Sequence, residues 1–194
     1  MKIIEVPQFG PMFRFNDASI YWALHILSDG RRVGRKKLAE NVGIGEGSMR
    51  RIIDSLKERN FILVKQTGIT ITKAGQAFLR QIPIRVVDVD IGESTVGEFS
   101  QGILVLGVAE KVLNGMQQRD AGIKVGAMGC TTVVIRDGML MIPPDWNIDE
   151  KDPGLAYKIR TETGITLNDV IIVGSANKKT TAIEAAINAA FELI

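Results

Sequence analysis

Over the first eighty positions the apolar residues recur at helical spacing. Ile20, Ala23, Leu24 and Leu27 share one face of a helix that Asp17 can cap and that Ser28-Asp29-Gly30 ends. In Arg35-Lys36-Lys37-Leu38-Ala39-Glu40-Asn41-Val42, a second short helix is expected, with Leu38, Ala39 and Val42 on one side. Gly43-Ile44-Gly45-Glu46-Gly47 then breaks the pattern with a tight turn. A third helix is expected from Ser48 to Arg59, burying Met49, Ile52, Ile53 and Leu56 and turning Gly47, Arg50, Arg51, Asp54 and Ser55 away. Phe61 to Lys65 and Ile69 to Thr72 are β-prone runs about a Gln66-Thr67-Gly68 turn, which predicts a short hairpin. Thr72 can cap a last helix through Gly75, Phe78 and Leu79.

Beyond Pro83 the period changes. Residues 84 to 91 alternate as a half-buried strand does, residues 92 to 101 read as a loop, and Gly102 to Ala109 is a continuous apolar run suited to a central strand. A helix is expected from about Gly115 through Lys124. A hairpin follows, its strands Thr131 to Arg136 and Met139 to Ile142 joined at Asp137-Gly138 and closed by Pro143-Pro144-Asp145-Trp146. A helix over about 153 to 163, a strand from Val170 to Gly174 and an alanine-rich helix with Thr181 and Glu184 as capping box finish the chain. The order β-β-α-β-β-α-β-α predicts a two-layer α+β domain with its helices on one sheet face. The N-terminal order of three helices, hairpin and helix is that of a winged helix-turn-helix. The fold class is therefore α+β, with a winged helix-turn-helix over 1–83 and the second domain over 84–194. Met1 to Phe15, with two prolines and no clear period, reads as an extended arm whose Phe13 and Phe15 pack on the first helix or meet a second copy.

Charge sharpens this division. The whole chain carries a formal +2, yet residues 1–83 hold 14 Lys+Arg against 7 Asp+Glu while residues 84–194 hold 10 against 15. A basic half attracts polyanions and an acidic half avoids them. With 194 residues, 45% of them hydrophobic, the chain can build a core in each part. No uncharged apolar run reaches the roughly 18 residues of a membrane helix, and Met1-Lys2-Ile3-Ile4-Glu5 lacks the apolar core of a signal peptide. A cytoplasmic protein without membrane partners is expected. One cysteine, Cys130, and one histidine, His25, leave no disulfide and no Cys/His metal cluster within one chain. No cofactor and no enzymatic activity are expected. His25 lies off the buried face, solvated or turned to a partner, and Cys130, with no histidine in its domain to activate it, reads as a core residue.

The basic residues fit a duplex. Arg31, Arg32, Arg35, Lys36 and Lys37 gather before and within the second helix, where they can meet phosphates. Arg50 and Arg51 lie near the start of the third helix, where base-reading side chains sit, and arginine suits bidentate contact with guanine. Ser48 can add a hydrogen bond, and Lys65, Gln66 and Thr67 at the hairpin tip can touch a flanking groove or the backbone. In the second domain, Gly126 to Thr132 lets a ligand approach the backbone at Gly129 and Thr131. Ser175, Asn177, Lys178 and Lys179 run from a strand end into a helix N-terminus, which offers amides to an anion. The alternative is that these glycines only shape turns and the lysines are solvated.

On Ile71-Thr72-Lys73-Ala74-Gly75, where the hairpin runs directly into a helix, the first part resembles winged-helix transcriptional regulators. Gly115-Met116-Gln117-Gln118-Arg119-Asp120-Ala121-Gly122-Ile123-Lys124, the Cys130 to Met141 hairpin and the Val170 to Ala176 strand extend the resemblance. The whole chain looks like an archaeal family that joins such a domain to one similar to the GAD domain of some bacterial aminoacyl-tRNA synthetases and amidotransferases. The resemblance implies a regulator and brings no catalytic residues. Together these readings give a sequence-specific DNA-binding regulator of double-stranded DNA, a homodimer whose acidic half dimerises or binds a small anionic effector. An RNA-associated protein or a protein-interaction adaptor built on the same fold is the alternative.

Overall fold

The computed structural model describes Ile3 and residues 15–194, apart from the side chain of Glu93. Phe13 and most of the expected arm lie outside the described residues. The chain divides into two compact units, Met1–Ile82 and Pro83–Ile194.

The first unit is a winged helix-turn-helix. Helix α1 (Asp17–Ile26) is capped by Asn16 and not by Asp17: the Asn16 side chain accepts from the Ser19 amide while the Ser19 hydroxyl faces back to the Asn16 amide. Asp17 instead accepts from the Ile3 amide at 2.8 Å. Helix α2 (Arg35–Val42) buries Leu38, Ala39 and Val42 and stops at Gly43, whose φ of 82° opens the turn. Helix α3 (Glu46–Glu58) starts two residues before the sequence pattern places it, because Gly45 is its N-cap and Gly47 is helical. Its Met49, Ile52, Ile53 and Leu56 are all buried. Strands β1 (Ile62–Lys65) and β2 (Gly68–Ile71) pair antiparallel with Lys65 opposite Gly68, so the turn is Gln66-Thr67 alone. An isolated bridge between Val33 and Ile69 ties the α1–α2 connection to this wing. Thr72 caps helix α4 (Lys73–Gln81), accepting from the Gly75 amide at 3.0 Å and donating to the Asn60 carbonyl. Phe61 and Phe78 stack with ring centroids 4.6 Å apart, which seats α4 against the connection between α3 and β1. His25 lies off the buried face of α1, half-buried and stacked on Trp22 at 4.9 Å, and burial lowers its pKa. Trp22 in turn donates to the Asn41 carbonyl at 3.3 Å, joining α1 to the end of α2.

The second unit is built on a six-stranded antiparallel sheet. Its strands are β3 (Ile84–Val87), β4 (Phe99–Val105), β5 (Gly129–Arg136), β6 (Met139–Ile142), β7 (Trp146–Asn147) and β8 (Val170–Ala176), in the order β3-β4-β8-β5-β6-β7. The helices are α5 (Met116–Lys124), α6 (Ile148–Lys151), α7 (Pro153–Thr163) and α8 (Lys179–Phe191). The α+β class holds, but helices cover both sheet faces and not one. A Cβ on Gly174 would enter the backbone of α8 at Ala182 and Ala186, and one on Gly122 of α5 would meet Cys130, so α5 and α8 lie on one face. On the opposite face Leu104, Val133, Leu140, Ile171 and Val173 pack with Ile148 of α6 and with Ala156 and Ile159 of α7. A sequence period of two marks two faces without saying what covers each.

Several boundaries move for local reasons. β4 begins at Phe99 and ends at Val105: antiparallel pairing with β8 draws Phe99 opposite Ala176, and Gly107, at φ 71° with its amide on the Asp169 carboxylate, turns the chain away. β3 is half the expected length, and Val89 and Ile91 leave it to join the α6–α7 core. β5 starts at Gly129, so Gly129 and Cys130 are paired strand residues and not part of an open loop. The hairpin gains a third strand where Asn147 pairs with Met141. α8 is capped by the Lys178 backbone with no side-chain acceptor, and Thr181 lies inside the helix, so there is no capping box. The Asp137-Gly138 turn, with φ of 50° and 80°, is as expected.

Candidate nucleic-acid interface

The geometry of α3 follows from its stripe of buried residues. Because Met49, Ile52, Ile53 and Leu56 anchor one side, the exposed ridge opposite them carries Gly47, Arg51, Asp54 and Glu58, with Arg50 flanking it toward the wing. Between α3 and the wing runs a groove of about 490 Å³, floored by Ile53 and Ile69 and walled by Val64. Arg35, Arg50, Asp54, Lys65, Gln66 and Thr67 line it. Three cations therefore converge on a concave surface, with one carboxylate among them.

Of the eleven residues expected to meet DNA, Arg35, Arg50, Lys65, Gln66 and Thr67 are brought together in this groove. Lys36, Lys37 and Arg51 are exposed on the same two helices outside it, and Ser48 is half-buried in the first turn of α3. The surrounding ion pairs are loose. Arg35 stands 3.9 Å from Glu46 and Lys37 3.6 Å from Glu40, all well exposed, so each pair contributes little and each cation can turn to a phosphate. Arg32 has a fixed place: it donates to the Thr67 hydroxyl at 2.8 Å and so braces the wing tip. Arg31 is held by Asp29 at 2.6 Å; the Arg31 amide, then its guanidinium, keep that carboxyl below its ordinary pKa. The Val33–Ile69 bridge and the Arg32 brace carry no sequence signature, since each joins residues more than thirty positions apart.

In the second unit the candidate ligand residues separate. Gly129 and Ser175 are buried and directly paired across β5 and β8, and Thr131 donates its hydroxyl to the Ser94 carbonyl at 2.7 Å. Asn177, Lys178 and Lys179 are exposed at the start of α8. Burial pushes the Cys130 thiol up to about 12. Among the described residues no group of three His, Cys, Asp or Glu side chains could hold a metal ion, and no helix is long and apolar enough to cross a membrane.

Fold and groove define a winged helix-turn-helix protein with an appended α+β unit. Residues 96–193, just over half of the chain, match the model of the family described as Domain of unknown function (DUF4443), and the chain belongs to that family. Residues 19–85 match the model described as the CggR N-terminal DNA binding domain. Among solved structures, a hypothetical protein from Pyrococcus horikoshii OT3 is similar over 93% of each chain, with 23% identity and a TM-score of 0.73; at that identity the likeness is one of fold. No curated protein matches the chain.

Proposed function

We propose that the protein is a transcriptional regulator that reads duplex DNA in a sequence-specific way through α3 and the wing. The observation that carries this reading is the cationic groove between them, in a unit that matches a DNA-binding domain. Arg35, Lys36 and Lys37 meet phosphates; Ser48, Arg50 and Arg51 face base edges; Lys65, Gln66 and Thr67 of the wing touch the flanking groove or backbone. Residues 1–83 serve as the DNA-binding domain and residues 84–194 as the domain that dimerises or senses an effector. A homodimer would place two reading heads on a two-fold site. A small anionic effector would sit at the start of α8 on Asn177, Lys178 and Lys179, the exposed members of the candidate set, and would act by favouring one arrangement of the heads. The GAD-like character of the second domain and an archaeal origin belong to the same proposal, as do a non-enzymatic role and a place in the cytoplasm.

Fluorescence anisotropy of a labelled duplex against the full chain tests the DNA reading. Binding that weakens as salt rises and falls further in Arg50→Ala or Lys65→Ala supports it. Equal affinity of wild type and both variants would remove the groove from the interface. Calorimetry with inorganic phosphate tests the effector site: a Lys178→Ala, Lys179→Ala double variant that binds phosphate as wild type does would exclude it.

A further inference from the structure

Asp54 does not fit a face whose work is only to hold phosphates. It is exposed, it stands on the outer ridge of α3 and it lines the groove shared with Arg35, Arg50 and Lys65. Arg50 lies four residues before it, a spacing at which a helical Arg and Asp commonly pair. Among the described residues, however, neither Arg50 nor Asp54 makes an ion pair. The carboxylate is thus available to whatever enters the groove. Against a phosphate it is repulsive, and it lowers affinity for duplex DNA in general. It gains only where DNA offers a hydrogen-bond donor.

The major groove offers two exocyclic amino groups, on cytosine and on adenine. Beside the adenine amino group stands the N7 acceptor, whose lone pair repels an acceptor-only carboxylate. Beside the cytosine amino group there is no such acceptor on the same base. We propose that Asp54 is a specificity residue that accepts a hydrogen bond from a cytosine amino group, next to a guanine contacted by Arg50 or Arg51. Four helical residues advance about 6 Å, so the two side chains can reach one G·C pair or two neighbouring ones. Gly47, on the same ridge and with open space where a Cβ would stand, lets the start of α3 come close to the base edges. The inference rests on the DNA-reading function proposed above.

The test uses the full chain and the duplex it selects from a random pool. Each cytosine in turn is replaced by N4-methylcytosine, which keeps the pairing with guanine and removes the major-groove amino hydrogen. Wild type loses about 5- to 150-fold in affinity at one cytosine, the range of a base-edge contact. Asp54→Ala loses less than about twofold there and binds unrelated duplexes more tightly, while Asp54→Asn shifts the preference at that position toward adenine, as an amide should. If Asp54→Ala tightens binding to all duplexes by one factor and keeps the discrimination at cytosine, the carboxylate only repels phosphate and the proposal is wrong. A wild type that binds no duplex would overturn the DNA reading itself, a result distinct from that one.

Discussion

One ion pair joins α6 to α7 and both of its members hydrogen-bond to the β5–β6 hairpin, so its removal has a calculable effect. Arg160 of α7 grips Asp149 of α6 with both arms, at 2.6 and 2.7 Å, and also reaches the Gly138 carbonyl at the hairpin turn. Asp149 accepts in addition from the Leu140 amide at 2.6 Å. Two charge-assisted hydrogen bonds in a dry site contribute roughly 1.5–3 kcal/mol each. Both side chains are about one-third exposed, at 33% and 30%, so solvent screening reduces the pair to about 1–2 kcal/mol in total. Asp149→Ala also leaves the Leu140 amide without its acceptor, which adds about 1 kcal/mol. We expect Asp149→Ala to cost about 2–3 kcal/mol and Asp149→Asn, which keeps an acceptor for Leu140, about 1 kcal/mol. Hydrogen bonding from the Arg160 guanidinium first, then from the Leu140 amide, holds the Asp149 carboxyl below its ordinary range against the opposing effect of desolvation. A carboxyl whose folded pKa is depressed contributes stability that is present above its unfolded pKa, near 4, and lost as pH falls through the folded value. Urea unfolding followed by Trp146 fluorescence in a Trp22→Phe background should show the deficit of Asp149→Asn at pH 7 and a smaller one at pH 3. An equal deficit at both pH values would refute the role given to the charge.

Three further outcomes are expected. Lys36→Ala should weaken all duplexes alike and reduce the slope of log affinity against log salt by about 1, whereas Arg51→Ala should cost about 1–3 kcal/mol on one preferred sequence; anisotropy titrations on matched and unmatched duplexes separate the two. Gly174→Ala should destabilise the second unit by at least about 1–3 kcal/mol in denaturant unfolding, because the new methyl would stand 2.7 Å from the Ala186 amide nitrogen and α8 would have to lift from the sheet. Cys130, buried and with its thiol raised to about 12, should resist a disulfide reagent at pH 8 in the folded protein and react once urea unfolds it.

What was legible in the sequence follows the strength of each local signal. Helical stripes with four buried members, as on α3, and turns that demand positive φ, as at Asp137-Gly138, are written in the residues themselves. The cap of α1 depends on a distant partner: Asn16 and not Asp17 closes the helix, and Asp17 accepts from the Ile3 amide, fourteen positions away. Strand ends depend on partners. Phe99, Ser100 and Gln101 look like loop until β8 is seen to extend to Ala176 opposite them, and Trp146-Asn147 joins the sheet only because β6 has a free edge. The same dependence governs the groove. Its cations were visible as a basic cluster, but the convergence of Arg35 with Lys65, thirty positions later, and the place of Asp54 among them come from the packing of the wing on α3.

The most direct measurement is the selection of bound sequences from a random duplex pool by the full chain at near-physiological salt. A base-reading α3 predicts enrichment of one motif containing G·C pairs, repeated with two-fold symmetry if two copies of the chain bind together. A pool that emerges unenriched, with binding that vanishes as salt rises, would leave general attraction for polyanions and contradict sequence-specific reading of DNA.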